Sequence, residues 1–229
     1  MRTARVLDQT GSTETIGEKT YRRIRSDIIF GRLAPGQKLR LERLSTQYET
    51  SIATLRELLN RLLVEGLIVA EGQRGFEVMP VSADRWHEIA AMRELLEGHA
   101  LRQSIESGDV EWEGRVVAAH HKLATLEKQL LSGDRSQTET WKRYDWEFHH
   151  ALISCCGSKA LLDAHSAIFD KYLRYQIIAV VFRGEAAARE HRELLKAALK
   201  RDADAAADVL VKHIRDCVQH TIKSGALAS

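Results

Sequence analysis

Asp145-Trp-Glu-Phe-His149 sets a carboxylate and an imidazole four residues apart. On a helix that spacing puts both on one face, roughly 6 Å apart along the axis. Two further histidines, His191 in Glu190-His-Arg-Glu-Leu-Leu-Lys-Ala-Ala-Leu199 and His213 in Val211-Lys-His-Ile214, occur in later segments of helical character. If the three segments meet, one carboxylate and three imidazoles suit a borderline divalent transition metal: zinc, with nickel or manganese as alternatives. A lone histidine on a helix is more often a surface or satisfied core residue, so convergence is an expectation about the tertiary structure. The same set has two rival uses. With an open coordination position it can activate water, as in a metalloenzyme; closed, it staples helices together. No motif places a separate general base beside it, so the expectation is that the chain is not an enzyme.

The segments that must position these residues read as helices. Both prolines, Pro35 and Pro80, lie in the first third, and the 149 residues after Pro80 hold none. Glycine is sparse there, and apolar residues recur at three- and four-residue steps: Trp86, Ile89, Ala90, Leu95, Leu96 and Ala100, then Val209, Leu210, His213, Ile214 and Cys217. Asp202 or Asp204 stands where an N-cap opens the last long helix. The spacing predicts about six helices over 84–223, packed as a bundle.

The front third has another grammar. Tyr21, Ile24, Ile28 and Ile29 stripe a helix over Thr20 to Phe30, and Leu41 to Tyr48 form a second, short one. Ser51 is placed to cap a third helix from Ile52 to Glu65, with Leu55, Leu58, Leu59 and Leu62 as its buried stripe. Two helices joined by a short turn, then a hairpin (Gly66 to Ala70 returning through Phe76 to Val78), make a winged helix-turn-helix. The fold class expected is mainly α: this winged unit over 16–79, a linker at 80–83 and the helical bundle, with 1–15 as a flexible arm. Met1 to Lys19 match neither a secretory signal nor a transit peptide, and no apolar run approaches the roughly 20 residues that span a bilayer. Cys155, Cys156 and Cys217 are not a disulfide framework, so a reducing cytoplasm and no membrane are expected. The formal net charge is only +2, but its distribution is uneven. Between Lys19 and Arg43 eight basic residues face two acids, whereas from Met79 onward 21 basic and 22 acidic residues balance. A basic front end on a neutral body points to a polyanionic partner.

The front-end pattern Gly31-x-Leu33-x-Pro35-Gly36-x-x-Leu39, Leu44-Ser45-x-x-Tyr48, Leu55-Arg56-Glu57-x-Leu59-x-Arg61-Leu62-x-x-Glu65-Gly66-Leu67-Ile68 and Gly75-Phe76-x-Val78 resembles the GntR family of winged-helix transcription regulators. The match runs nearly without interruption from Ile16 to Met79. It implies double-stranded operator DNA as partner, with the third helix entering the major groove and the wing tip the minor groove. By that resemblance DNA contact falls to Ser51, Thr54, Arg56, Arg74 and Gly75, with Arg40 and Arg43 as further phosphate contacts. The sequence departs from the family at Ser51-Ile-Ala-Thr-Leu-Arg56, where Ser-Arg-Thr-Pro-Val-Arg is common. Ile52 replaces an arginine that often contacts DNA.

The region from Ser82 to Thr221 resembles the ligand-binding (FCD) domain of the FadR-type branch, in its metal-binding subgroup. Asp145, His149, His191 and His213 match the four ligand positions of that pattern. The resemblance implies a small carboxylate effector that completes the metal's coordination, a homodimer, and repression relieved by the effector. Arg93 matches a family position that faces the pocket, its alternative being an i,i+4 ion pair with Glu97; Arg174 is a further pocket candidate. A narrower likeness, through Gly108-Asp-Val-Glu-Trp-Glu113 and Cys156-Gly-Ser158, points to a dicarboxylate such as glutarate.

Overall fold

The computed structural model describes residues 15–72, 75–179, 182–225 and 227. The chain divides into two compact units, 1–80 and 81–229. The described residues of the first carry helices α1 (Ile16–Ile29), α2 (Leu41–Tyr48) and α3 (Ile52–Val64) and an antiparallel hairpin of β1 (Ile68–Glu71) and β2 (Gly75–Val78). Those of the second carry six helices: α4 (Ala83–Ser107), α5 (Val110–Leu131), α6 (Thr138–Ile153), α7 (Lys159–Ile178), α8 (Glu185–Leu199) and α9 (Ala203–Lys223).

In the first unit the helical stripes close on one core, with Ile24, Ile28, Leu44, Leu55, Leu59, Leu62, Ile68 and Val78 all buried. α1 starts four residues earlier than expected because the Thr15 hydroxyl accepts from the Glu18 backbone N–H and caps it at Ile16. The segment after α1 also joins the wing. Leu39 N–H donates to Phe76 O at 2.8 Å and Val78 N–H to Gln37 O at 3.0 Å, so the wing leans on a third, bridge-length strand. The turn between α2 and α3 closes at Glu49, which sits in the left-handed region at φ 52°. A side chain there costs about 1–2 kcal/mol, more than the extra unfolded-state freedom of glycine. Glu49→Gly is therefore expected to raise stability by about 0.5–1 kcal/mol in a denaturant melt; no gain would mean that the Glu49 side chain compensates its backbone strain.

In the second unit α4 packs against α7 and α9, α5 against α6 and α8, and α8 against α9. Trp86, Trp112, Phe148, Leu152, Tyr172, Leu194 and Leu210 fill the space between them. Ser82, Asp109, Ser158 and Asp202 cap α4, α5, α7 and α9. Gly108 must be glycine for a packing reason: a Cβ there would lie 2.6 Å from the Trp112 ring and 2.7 Å from Ser104 O. No helix among the described residues is long and apolar enough to cross a membrane, and the three cysteines are free thiols.

Candidate functional site

The first unit sorts its basic residues into two groups. Arg25 pairs with Glu65, Arg32 with Asp27, and Arg61 with Glu18 while lying over Tyr21. Those charges hold the fold. Arg40, Arg43 and Arg56 are exposed and make no ion pair among the described residues. Ser51 is exposed at the head of α3, where its Oγ accepts from Thr54 N–H at 3.1 Å and lies 2.9 Å from the Thr54 hydroxyl. Ser51 thus spends its side chain on the cap, and the other amides of the first turn remain for an anion. Ile52 is 40% exposed beside them, an apolar residue on this polar face. Gly75 opens β2 opposite Glu71; Arg74 lies outside the described residues.

The second unit brings Asp145, His149, His191 and His213 together. One ligand atom of each lies within 4.8 Å of all the others, and all four residues are buried. α6 carries the first two on one face; α8 and α9 carry the histidines. His191 lies in the second turn of α8, which begins at Glu185 rather than at Glu190.

The ring orientation is set by a second layer of carboxylates. His149 Nδ1 lies 2.5 Å from Glu97 Oε1, His191 Nδ1 2.7 Å from Glu127 Oε1 and His213 Nδ1 2.9 Å from Glu190 Oε2. An ionised carboxylate only accepts, so each Nδ1 carries a proton toward its glutamate and Nε2 is the atom left to ligate. His149 Nε2, His191 Nε2 and Asp145 Oδ2 are buried with no hydrogen-bond partner. Buried polar atoms are rarely left so, and carboxylate-backed imidazoles around a carboxylate oxygen are how proteins hold a divalent cation. The residues fit the metal that the sequence implied.

Burial drives the His149 and His213 imidazoles down, to the neutral form a ligand needs, against the pull of Glu97 and Glu190. His191 differs: Asp145 and Glu127 raise it to about 9 against burial, so a cation bound here would displace the proton on its Nε2. The Asp145 carboxyl stays well below its ordinary value despite burial, because Lys142, His191 and His149 surround it.

Glu97 also carries Arg93. The guanidinium Nε donates to Glu97 Oε2 at 2.7 Å while its plane lies over the rings of Phe169 and Tyr172, at 4.4 and 4.3 Å. The i,i+4 pair is thus formed, yet Arg93 Nη1 remains buried and unpartnered. Neither Arg93 nor Arg174 is among the residues lining the cavity beside the ligands; Arg174 is buried on the same helix as Tyr172, with Tyr175 and Arg85 as its electrostatic neighbours. That cavity is small and partly open to solvent, and it is lined by Asp145, His191 and His213 with Trp141, Lys142, Gln176 and Arg183.

Sequence reasoning missed Glu97, Glu127 and Glu190 as ring-orienting groups. It also missed His165, whose Nε2 meets Glu97 Oε2 at 2.9 Å, and the cations Lys142 and Arg183. A glutamate immediately before His191 was visible, but it serves His213, and only the fold shows that. His150, next to a ligand, stacks on Trp146 away from the cluster.

Comparison with known proteins sets this geometry in a family. Residues 16–78 match the model of bacterial regulatory proteins of the gntR family, and residues 88–216 match the FCD domain. The chain is 37% identical over 212 residues to the HTH-type transcriptional regulator BphR of Paraburkholderia xenovorans, covering 92% of this chain and 86% of that one. It is 30% identical over 200 residues to the HTH-type transcriptional repressor GlaR of Escherichia coli, covering 85% and 90%. Among solved structures, E. coli McbR/YncC shares the fold with a TM-score of 0.76 at 17% identity, over 92% of this chain and 99% of that one. With a winged helix-turn-helix in front and an FCD domain behind, the chain belongs to the GntR family of DNA-binding transcription regulators and is not an enzyme.

Proposed function

We propose that this regulator is a homodimeric sensor of a small organic acid whose operator affinity is set in a metal-bearing pocket of the second unit. The observation that carries it is the convergence of three carboxylate-backed Nε2 atoms and the Asp145 carboxylate beside a cavity. Asp145, His149, His191 and His213 hold the cation, which when bound supplies a Lewis-acidic position for a carboxylate oxygen. Glu97, Glu127 and Glu190 fix the three rings, and Arg93 Nη1 is a donor left over for the acid. A regulatory pocket rather than a mere staple is favoured by the cavity beside the ligands, which two cations, Lys142 and Arg183, line.

In the first unit, Ser51, Thr54 and Arg56 at the head of α3, Gly75 with Arg74 in the wing, and Arg40 and Arg43 beside them contact operator DNA. Two copies match a two-fold symmetric site. The acid shifts DNA affinity only as far as it binds one arrangement of the dimer more tightly than the other. Release from DNA on binding the acid is the sign expected of a repressor.

Fluorescence anisotropy on the DNA upstream of its own gene tests this reading. The metal-loaded protein should form a salt-sensitive, sequence-selective complex that one class of short organic acid dissolves, and chelation should abolish the response to the acid. A complex indifferent to every acid, with metal and without, would return the cation to a structural role. Arg56→Ala should weaken DNA binding about tenfold or more, and, if its contact is to phosphate, lower the slope of log affinity against log salt by about one. An unchanged affinity would remove Arg56 from the interface.

A further inference from the structure

The side chains at the start of α3 decide what that helix can offer to the edge of a base pair. Ser51 Oγ accepts from Thr54 N–H at 3.1 Å and lies 2.9 Å from the Thr54 hydroxyl, so both hydroxyls are engaged within the cap. Leu55 is buried in the core of the first unit. The exposed side chains of the first turn are therefore Ile52 and Ala53, and the first charged one, Arg56, stands a turn further along. Ile52, Arg56 and Asn60 follow one another at four-residue steps, share one face of the helix and are all exposed.

A single exposed isoleucine is ordinary on most protein surfaces. Here its position gives it a use. Ile52 is 40% exposed on the same face as Arg56, in a unit whose Arg40, Arg43 and Arg56 make no ion pair among the described residues and so favour a polyanion. In the major groove the base pairs present hydrogen-bond donors, acceptors and, on thymine, a C5 methyl. Isoleucine can neither donate nor accept, so the groove feature it complements is that methyl. Over guanine or cytosine it would cover polar edge groups without pairing them, which is costly. Arginine at the same position would instead suit guanine, whose O6 and N7 accept two parallel hydrogen bonds.

We propose that Ile52, with Ala53 beside it, reads the C5 methyl of a thymine in each operator half-site, so that this regulator selects thymine where an arginine would select guanine. This rests on the reading of α3 as the helix that enters the major groove.

The test starts with selection of duplexes from a random-sequence library by the full chain. Each thymine of the selected half-site is then replaced in turn by deoxyuridine, in both half-sites at once. That change keeps every hydrogen-bonding group and removes the methyl alone. At one position wild type should lose about fourfold in affinity per half-site, the worth of one buried methyl, and hence about tenfold or more per duplex. Fluorescence anisotropy at one fixed salt concentration reads the loss. Ile52→Ala should bind the thymine and uracil duplexes nearly alike at that position, and Ile52→Arg, put through the same selection, should prefer guanine there. Ile52 lies outside the core, so both variants should melt in urea close to wild type. If wild type binds every uracil duplex as tightly as its thymine counterpart, if the selected half-site holds no thymine, or if Ile52→Ala keeps the full penalty, the inference falls. The reading of α3 survives that failure as long as Arg56→Ala still weakens the complex. If Arg56→Ala and Ile52→Ala both bind as wild type does, α3 is not the reading helix and both fall together.

Discussion

Glu97→Ala is expected to cost about 3–5 kcal/mol of stability, the loss typical of removing one partner of a buried ion pair. Glu97 is 1% exposed and accepts from three groups at once: Arg93, His149 Nδ1 and His165 Nε2. Alanine leaves a guanidinium charge with no counter-ion and two imidazole N–H groups with no acceptor. Glu97→Gln keeps an acceptor but not the charge and should cost less. Adding Arg93→Met to Glu97→Gln should recover part of the loss, because no buried charge is then left unpaired. Urea melts of the four proteins give the comparison; a loss below about 1 kcal/mol for Glu97→Ala would mean that the network relaxes or hydrates freely. The pH dependence follows with its sign. Burial pushes the Glu97 carboxyl up, but Arg93 and His149 hold it well below its ordinary value. A carboxyl depressed in the folded state contributes stability that is present above its unfolded value, about 4.3, and is lost as pH falls through the folded one. Wild type should therefore lose more stability on acidification than Glu97→Gln.

Stripping the metal should produce the second large effect. A ligand present at 100 to 1,000 times its dissociation constant stabilises a fold by about 2.7–4.1 kcal/mol. For a chain of this size that is roughly 5–15 °C in melting temperature. The drop on chelation should be reversed by adding zinc back. His191→Ala should melt near the chelated wild type and show no response to zinc, since the four ligand atoms lie on three helices, α6, α8 and α9, that the cation ties together. A chelated protein that melts where the untreated one does, with no metal found by elemental analysis, would overturn the site. Arg93→Met is informative beside it: if Arg93 acts on the effector as well as on Glu97, it should lose acid affinity with its metal content intact.

The sequence by itself determined the elements and much of the chemistry. Both prolines lie outside the helices and strands, and caps such as Ser51 and Asp202 mark helix starts, so the winged unit and six-helix second unit were legible from local rules. The front-end motif fixed the family for the same reason, being a continuous run of turn, helix and wing residues. Asp145 and His149 were legible as a pair because a carboxylate and a histidine at i and i+4 share a face whatever the fold; His191 and His213 joined them through the resemblance to the metal-binding FCD subgroup. Tertiary structure decided what lies around them. Glu97, Glu127 and Glu190 sit 52, 64 and 23 residues from the histidines they orient, and no spacing rule links residues so far apart. Arg93 illustrates the limit: its ion pair with Glu97 was readable from i,i+4 spacing, but the unpartnered Nη1 and the two aromatic rings beside it come from α7 packing on α4. Lys142 is the sharpest case. On the sequence it is one more lysine in a helix; only the tertiary structure buries its ammonium and sets it on Gln176 of α7, itself held by Cys217 of α9.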